Sequence, residues 1–128
     1  MKYEKFYIES NNGYTNCVIR SFCKLYNKSY DDVYTELMEL TKELKADNYN
    51  DIIVFETYME RHNTFKIESA KIKVKDLELD NGEYIVFFYD KKDFYHMIPI
   101  INNTIYDKNK DSLELYVIDI YKKVQQWS

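Results

Sequence analysis

The sequence predicts one α+β domain over residues 1–128, with N-terminal helices packed on a C-terminal antiparallel β-sheet. Three observations predict it. Apolar residues recur at helical spacing as far as about residue 62, and the period changes to two from Thr64 onward. Helices that come first and strands that follow mark an α+β arrangement rather than a parallel α/β sheet. No repeat, Gly/Ser linker or low-complexity tract divides the 128 residues, and at 45% hydrophobic the chain can bury one sizeable core but not two.

Each element follows from a local pattern. Residues 10–16, Ser-Asn-Asn-Gly-Tyr-Thr-Asn, are loop and cap chemistry, and Val18, Phe22 and Leu25 then fall at helical spacing, so a first helix starts at about Cys17. Asn16 is the expected cap, with Thr15 as the alternative. Ser29 with Asp32 opens a second helix by capping-box logic, with Val33, Leu37, Leu40 and Leu44 as its buried stripe and an end near Ala46. A third helix is expected over about 51–62, burying Ile52, Phe55 and Met59. Ala70, Ile72 and Val74 then alternate with Lys71, Lys73 and Lys75 as in a half-solvated strand, and β-rich stretches follow at 83–89, 94–101, 104–107 and 114–119. Asn tolerates positive φ, so Asn102-Asn103 reads as a two-residue hairpin turn that pairs Ile101 with Thr104, Ile98 with Asp107 and His96 with Asn109.

Composition removes several function classes. With 18 Lys and Arg against 22 Asp and Glu, and the lysines scattered among acids, a nucleic-acid or anionic-membrane partner is not expected. The longest apolar run, Tyr84 to Tyr89, is far below the roughly 20 residues that span a bilayer. The first residues mix charges with aromatics and are not expected to direct secretion. Cys17 and Cys23 lie on one predicted helix with Cα atoms about 9 Å apart at about 1.5 Å per residue, beyond the roughly 7 Å a disulfide allows. Free thiols suit a reducing cytoplasm. The cysteine and histidine spacings fit no zinc motif, and two glycines cannot build a phosphate loop, so neither metal nor cofactor is expected.

One constellation carries chemistry. Cys17 sits in the first turn of a helix, where unpaired N–H groups and the positive end of the dipole favour a thiolate. Cys23, some 120° around the same helix beside Phe22 and Leu25, reads as core. A thiol nucleophile needs a base. His62, at the end of the third helix, reads as structural, which leaves His96. Under the hairpin register His96 and Asp107 are diagonal neighbours on one face, about 7–8 Å apart at Cα and within reach of an imidazole–carboxylate hydrogen bond. Asp107 can then orient the base, with Asn109 standing by if the turn shifts. The backbone amide of Cys17 with a loop amide can hold an oxyanion; Asn11, Asn12 and Asn16 are candidates, and Asn11 is preferred because Asn16 is the expected cap. The plainer alternatives are a packed thiol and a half-buried strand histidine.

Asn16-Cys17-Val18-Ile19-Arg20-Ser21-Phe22, then Tyr30-Asp31-Asp32-Val33-Tyr34, then His96-Met97-Ile98-Pro99-Ile100 leading to Ile105-Tyr106-Asp107, resembles the small papain-like cysteine peptidase domains of bacteria and phages, among them the bacteriocin-processing peptidases. The resemblance implies a helix led by the nucleophile Cys17 and packed on an antiparallel sheet, with the base His96 and the orienting acid Asp107 on adjacent strands. Asn11 stands where such enzymes carry their oxyanion glutamine, and Arg20 is expected to make a structural ion pair. The expected activity is hydrolysis of a peptide or isopeptide bond through an acyl-enzyme, on a peptide or protein substrate in the cytoplasm. The competing expectation is a papain-like binding protein without turnover, such as a phage-encoded inhibitor of a host protein.

Overall fold

The computed structural model describes residues 1–8, 16–69, 71–89 and 95–125. Three helices, α1 (Cys17–Tyr26), α2 (Tyr30–Glu43) and α3 (Ile52–Arg61), accompany six strands, β1 (Lys2–Lys5), β2 (Thr64–Ser69), β3 (Glu83–Tyr89), β4 (Tyr95–Ile101), β5 (Thr104–Asp107) and β6 (Asp119–Lys123). The fold is α+β with one mixed sheet of order β1-β5-β4-β3-β6-β2.

The sheet is not purely antiparallel, because the N-terminus supplies a strand. β1 runs parallel to β5, with Lys2 N–H donating to the Asn103 carbonyl at 2.9 Å and Phe6 N–H to that of Asp107 at 2.9 Å. Its four residues include two lysines and a glutamate, which suits an edge strand and hides it from a search for apolar alternation.

The central strands are covered on both faces. Ile85 and Phe87 of β3, Met97 of β4 and Tyr121 of β6 pack with Ile19, Phe22, Val33, Leu37, Phe55 and Met59 of the helices. Tyr84, Val86 and Phe88, the alternate residues of β3, pack on the opposite side with Ile98, Ile100 and Ile105, beneath Val74, Leu77 and Val117. Burial on both faces explains the unbroken apolar run that begins at Tyr84.

The helices begin as expected and end differently. The Ser29 hydroxyl accepts from Asp32 N–H at 3.1 Å and caps α2. That helix stops at Glu43 because Lys45 takes a left-handed φ of 56°, which turns Ala46 N–H back to the Thr41 carbonyl at 3.0 Å. In α3 the buried residues are Val54, Phe55, Tyr58 and Met59; Ile52, expected in the stripe, is 50% exposed, as is Ile53 beside it at 55%.

Two strand expectations fail. Residues 71–75 form no strand; Val74–Asp76 is a 3₁₀ turn, Lys73 makes one isolated bridge to Tyr116, and Ala70 lies outside the described residues. Lys73 and Lys75 alternate because both reach the Glu114 carboxylate, at 3.3 and 3.0 Å, while Val74 between them is buried. The strand expected over 114–119 begins only at Asp119, because Lys110–Glu114 is a second 3₁₀ turn and Val117 serves as a core plug over the sheet.

Candidate active site

The site forms at one end of the sheet, where β4 begins, β5 ends and the N-terminus of α1 arrives. The hairpin sets the first pair. Asn102 and Asn103 adopt φ of 49° and 61°, and the register pairs Ile101 with Thr104 and Ile100 with Ile105. Positive φ at both central residues gives a two-residue turn whose twist matches the strands. His96 and Asp107 consequently share a face, and His96 Nε2 lies 2.8 Å from Asp107 Oδ2. The imidazole edge meets the Phe88 ring at a centroid distance of 5.0 Å, which fixes its plane. Asn109 is exposed, two residues beyond the strand, and plays no orienting part.

Cys17 comes from the other half of the chain. Strand alternation puts His96 with Ile98 and Ile100, on the side away from the helices, whereas Cys17 belongs to the helix-side core. They meet around the end of β4 rather than across a face. Ser21, one turn along α1, donates its hydroxyl to the Met97 carbonyl at 3.1 Å and lashes the helix to the strand. The His96 side chain and the Met97 backbone both act on the sulfur and favour its charged form. Since Nε2 is committed to Asp107, Nδ1 is the ring nitrogen left for the thiol.

Asp107 is held from every side. Its Oδ1 accepts from Arg20 Nη2 at 3.1 Å and from Lys108 N–H at 2.8 Å. Its Oδ2 accepts from the Ser112 hydroxyl as well as from His96. Its own carbonyl takes the Tyr3 hydroxyl at 3.0 Å. Asn16 holds the N-cap position of α1, its carbonyl accepting from Arg20 N–H at 2.8 Å, but its side chain makes no cap hydrogen bond; Nδ2 donates to the Ile8 carbonyl at 2.9 Å, and Oδ1 receives Arg20 Nη1 at 3.3 Å. Asn16 thus braces the arginine that braces the acid. Asn11 and Asn12 lie outside the described residues, as does Thr15.

The electrostatics favour an ion pair. Burial by itself would raise the Cys17 thiol, but the His96 hydrogen bond and charge, the Met97 backbone and the Arg20 charge outweigh it, and the pKa falls below the ordinary thiol value. Burial would lower His96, but the bonds to Asp107 and Cys17 outweigh it and raise it to about 9. Asp107, also penalised by burial, is lowered by His96, Ser112 and the Lys108 amide. Cys23 has no such partners, and burial pushes its thiol up to about 11.

No protein-family model matches the sequence, and no curated protein or solved structure matches the chain. The chemistry is therefore read from this arrangement alone.

The remaining histidine is structural. His62 stacks on Tyr58 and Tyr26 at 4.2 and 4.6 Å, and its Nε2 lies 3.2 Å from Lys28 Nζ. An ammonium only donates, so Nε2 accepts and Nδ1–H donates to the Tyr58 carbonyl at 2.7 Å. Among the described residues no three His, Cys, Asp or Glu side chains group as a metal would require, and no helix is long and apolar enough to cross a membrane. Sequence reasoning missed Ser112 and the bracing role of Asn16. Ser112 follows a charged turn whose 3₁₀ course has no apolar period to announce it.

Proposed function

We propose that this protein is a papain-like cysteine peptidase that hydrolyses a peptide or isopeptide bond through an acyl-enzyme. The observation that carries the reading is the chain Cys17–His96–Asp107, a buried thiol at a helix start lowered by an imidazole whose Nε2 is 2.8 Å from a buried carboxylate. A nucleophile, a base and an orienting group in hydrogen-bond sequence are what thiol acyl chemistry requires.

The Cys17 sulfur attacks the carbonyl carbon as thiolate, and the carbonyl π-electrons move onto oxygen. The Cys17 backbone amide and Asn11 are the donors proposed for that oxyanion. As the carbon–nitrogen bond breaks, His96 gives its Nδ1 proton to the leaving amine, and a thioester on Cys17 remains. Neutral His96 then takes a proton from water as the water oxygen attacks the thioester, which releases the acid and restores the thiolate–imidazolium pair. Asp107 holds the ring in place throughout. A cytoplasmic setting and a peptide or protein substrate accompany this reading.

The test is turnover of a peptide library, with products identified by mass spectrometry, for the wild type, Cys17→Ala and His96→Ala. Cleavage abolished in both variants supports a peptidase. If the folded wild type yields no cleavage and no thioester with any peptide, the second reading stands. That reading, a binding protein without turnover, draws on the 7% exposure of Cys17, which leaves the sulfur little open surface.

A further inference from the structure

The geometry points to Arg20 as a fourth charged member of this site, a positioning residue that balances the charge of Asp107 and lets Cys17 and His96 rest as thiolate and imidazolium. The inference rests on the peptidase reading and adds to it a source for the charge state of the nucleophile.

A count of formal charge motivates it. A thiolate, an imidazolium and a carboxylate together carry one net negative charge, and an uncompensated buried charge is strongly disfavoured. Moving the imidazolium proton back to sulfur would not change that total, so a site left to three members would shed the charge by taking up a proton from solvent, on sulfur or on the carboxylate. Among the described residues, Arg20 and Asp107 are the only charged side chains that are buried, and they pair with each other at 3.1 Å. With Arg20 included, the site is neutral.

Position supports the same role. Arg20 lies three residues after Cys17, so both project from one side of α1. A guanidinium is a fixed cation, so an arginine brings a permanent balancing charge. The fork is aimed by Asn16, which takes Nη1 at 3.3 Å while Nη2 goes to Asp107. The other ionisable groups nearby do not supply this charge. Tyr3 is a neutral donor to the Asp107 and Lys108 carbonyls, and the ionisation of Tyr49 is pushed up by burial first, then by Tyr30 and Cys17. The Lys108 ammonium sits over the Tyr7 ring at 4.6 Å, on an exposed residue, and Asp111 acts on Tyr3.

The test follows Cys17 alkylation by iodoacetamide from pH 5 to 9, with thiolate absorbance at 240 nm as a second readout. Cys23 ionises too high to interfere in this range. In the wild type, Cys17 is expected to react at pH 6 well ahead of Cys23. Arg20→Gln is expected to slow that reaction about tenfold or more and to move its acid limb up by about one pH unit, whereas Arg20→Lys, which keeps the charge, stays within about threefold of wild type. An unchanged profile in Arg20→Gln, or equal losses in both variants, overturns the assignment and leaves the peptidase reading standing. A wild-type Cys17 no faster than Cys23 removes the peptidase reading itself. Should Arg20→Gln fail to fold, Asn16→Ala decides, since it keeps the Arg20 charge but releases Nη1 from its partner at 3.3 Å: an acid limb moved up supports the positioning role, and an unchanged profile overturns it.

Discussion

Eleven positions separate His96 from Asp107, yet their side chains meet at 2.8 Å because the Asn102-Asn103 turn folds β5 back beside β4 in a single register. The hydrogen bond fixes which ring nitrogen remains for sulfur. It also makes the imidazole a stronger base than a free one, since the carboxylate stabilises its charged form.

The first prediction concerns selectivity between the two thiols. Cys17 and Cys23 are almost equally buried, at 7% and 6% exposure, so access alone does not separate them. Ionisation does, because Cys17 is lowered and Cys23 is raised to about 11. At pH 7 iodoacetamide is expected to modify Cys17 at least about 100-fold faster, since the thiolate is the reacting species. Peptide mapping with time checks this, and equal rates would count against the ion pair.

The second prediction separates the base from its orienter. His96→Ala removes the proton donor for the leaving amine and is expected to lower peptide turnover by about 10²–10⁴-fold. Asp107→Asn keeps the ring but exchanges a charged acceptor for an amide that can present its N–H₂ to Nε2, so turnover also falls, with substrate affinity largely kept. Steady-state kinetics resolve the two, and a loss confined to KM would contradict both roles.

The third prediction is a stability profile. The folded pKa of His96 is raised from 6.5 to about 9, so its contribution is complete below pH 6.5 and is lost as pH rises through 9. Cys17 is lowered from 9.0, so its contribution is complete above pH 9 and is lost as pH falls toward its folded value. From pH 6.5 or the folded Cys17 value, whichever is higher, up to pH 9 the two slopes are opposite and folded and unfolded chains each hold one shared proton, so stability is expected to be flat there. Cys17→Ala removes one slope while Asp107 still holds His96, so that variant should lose up to about 1.4 kcal/mol per pH unit above pH 6.5. Urea midpoints measured across the range test it, and a flat profile in the variant would refute the coupling.

Much of this site was legible in the sequence, for reasons that differ residue by residue. Cys17 announced itself through the Asn-rich loop before it and the apolar period after it. The His96–Asp107 relation needed only a two-residue turn and the alternation of strands. Arg20 and Ser112 were harder, because an ion pair that spans 87 positions and a hydroxyl delivered by a 3₁₀ turn have no local period. Asn16 keeps the cap position its chemistry suits, but the buried Arg20 takes its side-chain oxygen. In the fold, charged β1 and the shift of β6 escaped notice, as both depend on partners remote in the chain. The Lys71–Lys75 alternation misled because one glutamate, Glu114, imitates a solvent-facing strand.

The last prediction tests the turn on which the register depends. Asn102 and Asn103 both hold positive φ, and the Asn102 N–H is tied to the Gly82 carbonyl at 2.9 Å. Alanine at either position pays the left-handed penalty of about 1–2 kcal/mol per residue, while glycine at Asn103 is expected to leave stability unchanged or raise it. Neither substitution moves the register, so Cys17 reactivity at pH 6 should survive in both. One glycine inserted between Asn102 and Asn103 acts differently. Side chains alternate with period two, so a shift of one residue in β5 carries Asp107 to the opposite face from His96. The insertion is expected to keep the helices and most of the sheet, lower the His96 pKa toward 6.5, and slow Cys17 alkylation at pH 6 by tenfold or more, about one pKa unit. Histidine NMR titration with the alkylation rate reads both effects; a His96 that still titrates near 9 after the insertion would mean that the turn does not set the distance between imidazole and carboxylate.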